Sequence, residues 1–276
     1  MNLVLVASLL LVANIAAITA MLLVRRRAPQ GSRFKDGDRA SGVFGVLAGG
    51  FAIFAGFIIF LAFTAYDQSR RGAETEALTV VQQFETAQLM PSSVVAPLSG
   101  ALVCYARTVV QQEWPAMSDG QSTTLINPWG VALFRALERA TPVSASEQAA
   151  YSKWLDQTSE REQARNDRLH GGEGIIPVSI WLVLFLIAGV VFVFMLFFAD
   201  RGEGVGAQAM LMGSATTVIV LTLAAISALD HPYDHGPGQI KPVAMERSLR
   251  ILDRERAVAG SGAALPCGAD GHPTAS

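Results

Sequence analysis

The sequence is short of charge. Asp, Glu, Lys and Arg make up 16% of its 276 residues against 51% for hydrophobic types, too little charge for an ordinary soluble enzyme. Four long stretches, 1–24, 43–65, 176–199 and 207–229, hold no Asp, Glu, Lys, Arg or His at all. Spans without ionisable groups leave a proton relay or charge-coupled pump nothing to run on. They also lack the histidines that would hold a haem. A net charge of −2 excludes the clustered basic surface that nucleic acid requires. Cysteine is scarce: Cys104 and Cys267 match neither metal-site nor CxxC spacing. GxSxG, HExxH and P-loop patterns are missing, so no nucleophile, general base or phosphate cradle is visible. The expectation is a protein that is not an enzyme and uses no cofactor.

The four apolar stretches are the dominant feature. A helix crosses the hydrocarbon core with about 20 apolar residues, each adding about 1.5 Å. Charges gather at the edges: Arg25, Arg26 and Arg27 after the first stretch, Asp67, Arg70 and Arg71 after the second. Asp200 and Arg201 close the third, and Asp230 closes the fourth. The fold expected is an all-α integral membrane protein with four transmembrane helices and a helical extramembrane region, 66–175, between the second and third. Nothing basic precedes the first stretch and arginines follow it, so it reads as a retained helix rather than a signal peptide.

The loop 25–42 carries six basic residues (Arg25, Arg26, Arg27, Arg33, Lys35, Arg39) against Asp36 and Asp38, which places it in the cytoplasm. The soluble region and the tail then lie on the non-cytoplasmic side of a bacterial inner membrane. Four crossings put Cys104 and Cys267 on the same side. A disulfide is open to them if that side is oxidising. Two unpaired thiols are the commoner state for a cysteine in surroundings as apolar as those of Cys104.

Between the second and third stretches, Ala73, Ala77, Val80, Phe84 and Ala87 continue the helical period until Pro91. A helix over 94–113 carries Leu98, Leu102, Tyr105 and Val109 on one face and is expected to end at Trp114-Pro115. Asn127-Pro128 opens another, with Trp129, Leu133 and Leu137 in line. Ser144 with Glu147 forms a capping box that starts a further helix, carrying Tyr151, Trp154 and Leu155. Its end, Glu160–Arg168, alternates in charge and reads as a solvated face. Segment 230–256 holds a loop and an amphipathic helix with Met245, Leu249 and Leu252, and 257–276 reads as a disordered tail.

Several residues carry candidate chemistry. Gly45, Gly49, Ala52 and Gly56 form a small-residue stripe that lets helices approach, within one subunit or around an oligomer axis. Phe51, Phe54 and Ile58 are candidates for an apolar pore lining that gates by dewetting. Asn14 and the fourth stretch's Gly213, Ser214, Thr216, Thr217, Thr222 and Ser227 offer either a hydrophilic path or bonds to neighbouring helices. His231, Asp234 and His235 are weak zinc candidates in a loop between Pro232 and Gly236, where an interfacial polar turn is the better reading.

The run Leu61–Arg71, containing Tyr66, Asp67, Arg70 and Arg71, and then Glu76, resembles the bacterial bestrophin-like domain family. So do Tyr105 followed by Glu113, Trp114 and Pro115, and Pro232 with Gly236 leading into Lys241-Pro242. The resemblance runs from about Val43 to Leu252. More distantly the Tyr-Asp-x-x-Arg-Arg run is similar to bestrophins, pentameric anion channels whose pore is lined by apolar residues of the second membrane region. Gln68-Ser69 stands where bestrophins carry a tryptophan pair, and their acidic calcium cluster is missing, so calcium gating does not follow. Bestrophins keep the region after helix two in the cytoplasm, whereas the loop charge here puts it outside. The resemblance implies a homo-oligomer in the lipid bilayer that passes inorganic ions, anions first, and binds no nucleic acid. The alternative is a non-conducting scaffold, sensor or accessory subunit whose soluble helices bind a partner.

Overall fold

Long apolar runs become unbroken helices, even across the Gly49-Gly50 pair. The computed structural model describes residues 3–27, 36–121, 126–236, 238–258 and 264–274. Among these the helices are α1 (Leu3–Arg26), α2 (Gly37–Ala87), α3 (Ser92–Thr108), α4 (Trp114–Ser118), α5 (Pro128–Leu137), α6 (Ala145–His170), α7 (Val178–Phe197), α8 (Val205–Asp230) and α9 (Val243–Val258). A π-helical turn, Val109–Glu113, joins α3 to α4. No strand occurs among the described residues, only an isolated bridge between Cys267 and Pro273. Arg33 and Lys35 of the basic loop lie outside the described residues.

The chain forms two compact units. Unit 1 comprises residues 1–64, 174–231 and 235–238; unit 2 comprises 65–173, 232–234 and 239–276. Helix α2 is a single element of 51 residues, about 75 Å long at 1.5 Å per residue, far more than a bilayer core requires.

In unit 1, α1 lies against α8 through Ala17, Met21 and Met212. The membrane half of α2 buries Phe51, Ala55 and Ile58 against Leu184, Ala188 and Val191 of α7 and Ile226 of α8. Hydroxyls turn inward to their own helices: Thr216 donates to the Met212 carbonyl at 2.8 Å and Thr222 to that of Val218 at 2.8 Å. Asn14 donates to Leu10 O at 2.9 Å and to Thr217 Oγ1 at 3.1 Å, so these polar groups bond helices. Asp230 at the end of α8 accepts from the Ile175 and Ile176 amides at 2.7 and 2.6 Å and from Trp181 Nε1 at 3.0 Å. One carboxylate thus satisfies donors that the start of α7 would otherwise leave open.

Five helical stretches are long and apolar enough to cross a membrane, one more than the sequence suggested. The fifth, Ser92–Ser118, differs from the others: 67% of its apolar window is buried within the protein, against 6–22% for the rest.

That helix is the centre of unit 2. Leu98, Leu102, Val103 and Tyr105 of α3 pack among residues of α2, α5 and α9. Trp114-Pro115 does not end it, contrary to expectation. The chain passes through the π turn and stays helical to Ser118, with Pro115 in the first turn of α4, where its missing N–H leaves no bond unmade. Asn127 caps α5, its side chain accepting from the Trp129 amide at 3.1 Å. Ser144 and Glu147 cap α6 reciprocally. Helix α2 crosses α6 at Gly72, where a Cβ would sit 2.7 Å from both Ala164 O and Arg168 N.

Two expectations fail here. Cys104 and Cys267 are not free thiols but a disulfide, 163 residues apart in sequence. The tail is not disordered between 264 and 274. Beside the disulfide, Gly271 O accepts from Trp129 Nε1 at 2.9 Å and from Thr108 Oγ1 at 3.1 Å. Arg107 Nη1 donates to Gly268 O at 3.1 Å, and Gln112 Nε2 to Asp270 O at 2.8 Å. Gly271 has a φ of +81° and lies so close to Thr108 that a Cβ would be 2.6 Å from its amide, so only glycine fits. Composition predicted disorder because every one of these bonds is long-range.

Candidate functional site

Two features of the chain combine chemical character with location. The first lies in the core of unit 2. Arg168, near the end of α6, is fully buried and sits between two buried carboxylates, Glu76 of α2 and Glu113 of the π turn. Its Nε and Nη2 donate to Glu76, the latter at 3.0 Å, and Nη2 also donates to Glu113 Oε2. The Tyr105 hydroxyl donates to Glu76 Oε1 at 2.6 Å. Arg165 Nη2 and Asn127 Nδ2 donate to Glu113 Oε1 at 2.8 and 3.1 Å. The Arg168 guanidinium also lies 5.2 Å from the Trp114 ring centre, and Arg161 lies 5.0 Å from that of Tyr105. Tyr233 closes the cluster by donating to Arg168 O at 2.8 Å.

The two carboxylates are matched by the guanidiniums of Arg165 and Arg168, while Arg161 pairs with Glu162 at 2.8 Å. Burial pushes the Glu113 carboxyl up, but Arg168 and Arg165 beside it outweigh burial and hold it below its ordinary value. Burial disfavours the Arg168 cation, yet Glu76 and Glu113 raise it well above its ordinary value. Burial, helped by Glu76, pushes the Tyr105 hydroxyl well up, so it stays a neutral donor. The network joins α2, α3, the π turn and α6.

The second feature is the outer face of α2 in unit 1. Gly45, Gly49, Ala52 and Gly56 fall within about 60° of one another at 100° per residue. A Cβ built on Gly45, Gly49 or Gly56 meets no atom within 4 Å, so nothing among the described residues packs on these glycines. Ile53 (78% exposed), Phe60 (65%) and Phe63 (55%) flank it. The expected pore residues lie elsewhere. Phe51 and Ile58 are buried against α7 on the opposite side of α2, with Phe54 partly buried beside them, because their bulk fills the seam between the two helices.

A bestrophin-like domain model matches residues 11–245, well over half the chain. The chain belongs to the bestrophin-like family. Its fold is similar to crystal structures of a bacterial bestrophin homologue from Klebsiella pneumoniae. One variant superposes with a TM-score of 0.66 at 13% identity, covering 89% of this chain and 99% of that one. The structure phased on zinc gives 0.64 at 13% identity, covering 91% and 98%. A crystal structure of a membrane protein variant gives 0.64 at 15% identity, covering 91% and 98%. Identities this low show a shared fold alone. No curated protein matches.

In this bestrophin-like chain the motif residues divide by location. Glu76, Tyr105, Glu113 and Trp114 meet in the network, Trp114 also donating from Nε1 to Ile240 O at 3.1 Å. Pro115 is exposed beside it, and Pro232 O accepts from the Ile240 amide at 2.8 Å. Asp67 pairs with Arg71 at 2.7 Å and Arg70 with Glu74 at 3.2 Å, both near the surface. Tyr66 and Arg70 line a cavity of about 650 Å³ with Lys241 and Arg247. Gly236 is exposed in its loop.

The reading of Glu160–Arg168 as a solvated face is overturned: Arg161 is 1% exposed and Arg168 is fully buried. Alternating charge hid them. The available signal was spacing, since Arg161, Arg165 and Arg168 recur at four and three residues on the side that carries Trp154. As for the weak zinc candidates, His231 Nδ1 lies 3.5 Å from Asp230, and no three ligand side chains gather anywhere among the described residues.

Proposed function

We propose that this bestrophin-like protein assembles with copies of itself through the open face of α2 and passes anions down the axis so formed. The observation that carries this reading is the stripe Gly45, Gly49, Ala52 and Gly56, empty of neighbours in a helix whose opposite side is filled. Close helix approach through small residues drives association where lipid supplies no hydrophobic force between helices. A span free of charge suits passive conduction, with apolar side chains gating by dewetting. Because Phe51 and Ile58 pack against α7, the apolar constriction falls to Ile53, Phe60 and Phe63. The fold shared with bacterial bestrophin homologues supports the same reading.

The purified chain in planar bilayers tests it. A chloride-selective conductance from a closed ring of subunits is the expected result. A ring silent under every ionic condition, or a monodisperse monomer, overturns it in favour of a non-conducting scaffold.

The crossings are α1, the first part of α2, α7 and α8. Helix α3, buried on most sides within unit 2, does not cross. Unit 2 lies on the non-cytoplasmic side of a bacterial inner membrane. The Cys104–Cys267 disulfide supports that side, because cytosolic thiols are kept reduced, and the charge of loop 25–42 agrees with it. Maleimide labelling of the denatured chain, thiols trapped at lysis, is expected to add nothing before reduction and two labels after it. Two labels without reductant would place unit 2 in a reducing compartment.

A further inference from the structure

We infer that unit 1 holds a site for one anionic phospholipid at the basic end of α1. Arg25 and Arg26 of α1 and Arg201 of the turn between α7 and α8 line one cavity of about 380 Å³, with Leu22 as its remaining wall. Among the described residues no carboxylate lines it. Arg25 is fixed by three neutral acceptors: Gln208 Oε1 at 2.7 Å, Glu203 O at 2.6 Å and Arg201 O at 3.2 Å. Arg201 is oriented in turn, its Nε donating to Arg25 O at 3.0 Å. These bonds set the guanidiniums in place without cancelling their charge. Arg26 has no bonded partner among the described residues. Three cations around one cavity, two of them held in place, form a site for a phosphodiester, which matches the planar fork of arginine.

The adjoining cleft favours a lipid as the source of that phosphate. Gln208 links the two, accepting from Arg25 on one side and lining a cleft of about 570 Å³ on the other. Phe44, Met195, Phe198, Met212 and Val218 give that cleft apolar walls. Glu203 is the carboxylate at the cleft, where its Oε2 accepts from Gln208 Nε2 at 3.3 Å. A headgroup phosphate among the arginines with an acyl chain between α1, α2, α7 and α8 occupies both spaces. Basic pockets between membrane helices suit lipid phosphates for this reason.

Native mass spectrometry of the full chain in detergent, titrated with dioleoyl phosphatidylglycerol or dioleoyl phosphatidylcholine, tests the inference. One phosphatidylglycerol is expected to remain bound under conditions that strip phosphatidylcholine. Arg26→Gln is expected to weaken it about fivefold, the weight of one arginine at a charged lipid surface. Arg27→Gln, one residue on and outside the cavity, is expected to leave it unchanged. Ala215→Phe, which fills the cleft, is expected to lower lipid retention without removing an arginine. Equal retention of the two lipids, or equal loss from Arg26→Gln and Arg27→Gln, overturns the site. Displacement of phosphatidylglycerol by equimolar orthophosphate would make it a free-anion site and overturn the lipid assignment.

Discussion

Arg168 occupies a position that no other residue type can fill. Its guanidinium serves Glu76 and Glu113 at once, and removing it strips two buried carboxylates of their shared cation. Arg168→Met is therefore expected to cost about 3–5 kcal/mol of unit 2 stability, read as a lowered Tm in detergent. Arg71→Ala, which breaks the exposed pair with Asp67, is expected to move Tm little, since such pairs contribute under about 1 kcal/mol. The sign of the pH dependence follows from Glu113. Its folded value lies below the ordinary 4.5, so its contribution is complete above pH 4.5 and is lost as pH falls through the folded value. Thermal melts across pH 3–6 are expected to show a falling acid limb that Glu113→Gln flattens. None of this could be seen locally. Glu76 and Glu113 stand 92 and 55 residues from Arg168, so its partners are separated from it by other helices. By contrast Ser144 with Glu147, and Asn127 before Pro128, were legible because capping is decided within four residues.

Helix α2 uses glycine in two ways. At Gly72 another helix is already present, with Ala164 O and Arg168 N at 2.7 Å from any Cβ. Gly72→Ala is expected to force α6 away and destabilise unit 2 by about 1–3 kcal/mol. At Gly49 there is empty space, so Gly49→Leu is expected to leave subunit stability unchanged and to shift particle mass from oligomer to monomer by light scattering. If Gly49→Leu lowers Tm as Gly72→Ala does, the stripe packs inside the subunit. The sequence reading identified the stripe but could not show that Phe51 and Ile58 are buried on the other side of the helix. Apolar residues cover every side of a spanning segment, so periodicity, which separated the faces of α6 poorly and α5 well, had no contrast to work with in α2.

Taken whole, the protein is stapled as well as packed. The disulfide closes a loop of 163 residues, for which chain-entropy arguments allow about 2–5 kcal/mol. Cys267→Ser is expected to lower Tm and to speed amide exchange across 264–274, measured by hydrogen–deuterium mass spectrometry, while leaving α1 and α8 protected. The four apolar stretches were plain from composition, since lipid imposes length and the exclusion of charge on each span independently of its neighbours. The tail was not, because its order depends on Thr108 and Trp129, more than a hundred residues away.

The same bridge also records how the chain was threaded. Between Cys104 and Cys267 lie α7 and α8, so on the proposed topology the covalent ring encloses both a trip into the bilayer and the return. A nascent chain that misses one of those passes strands its two sulfurs on opposite faces of the membrane, where no oxidant can join them. On that topology correct threading is written into a bond that non-reducing electrophoresis can read, and a misinserted molecule is expected to carry two free thiols.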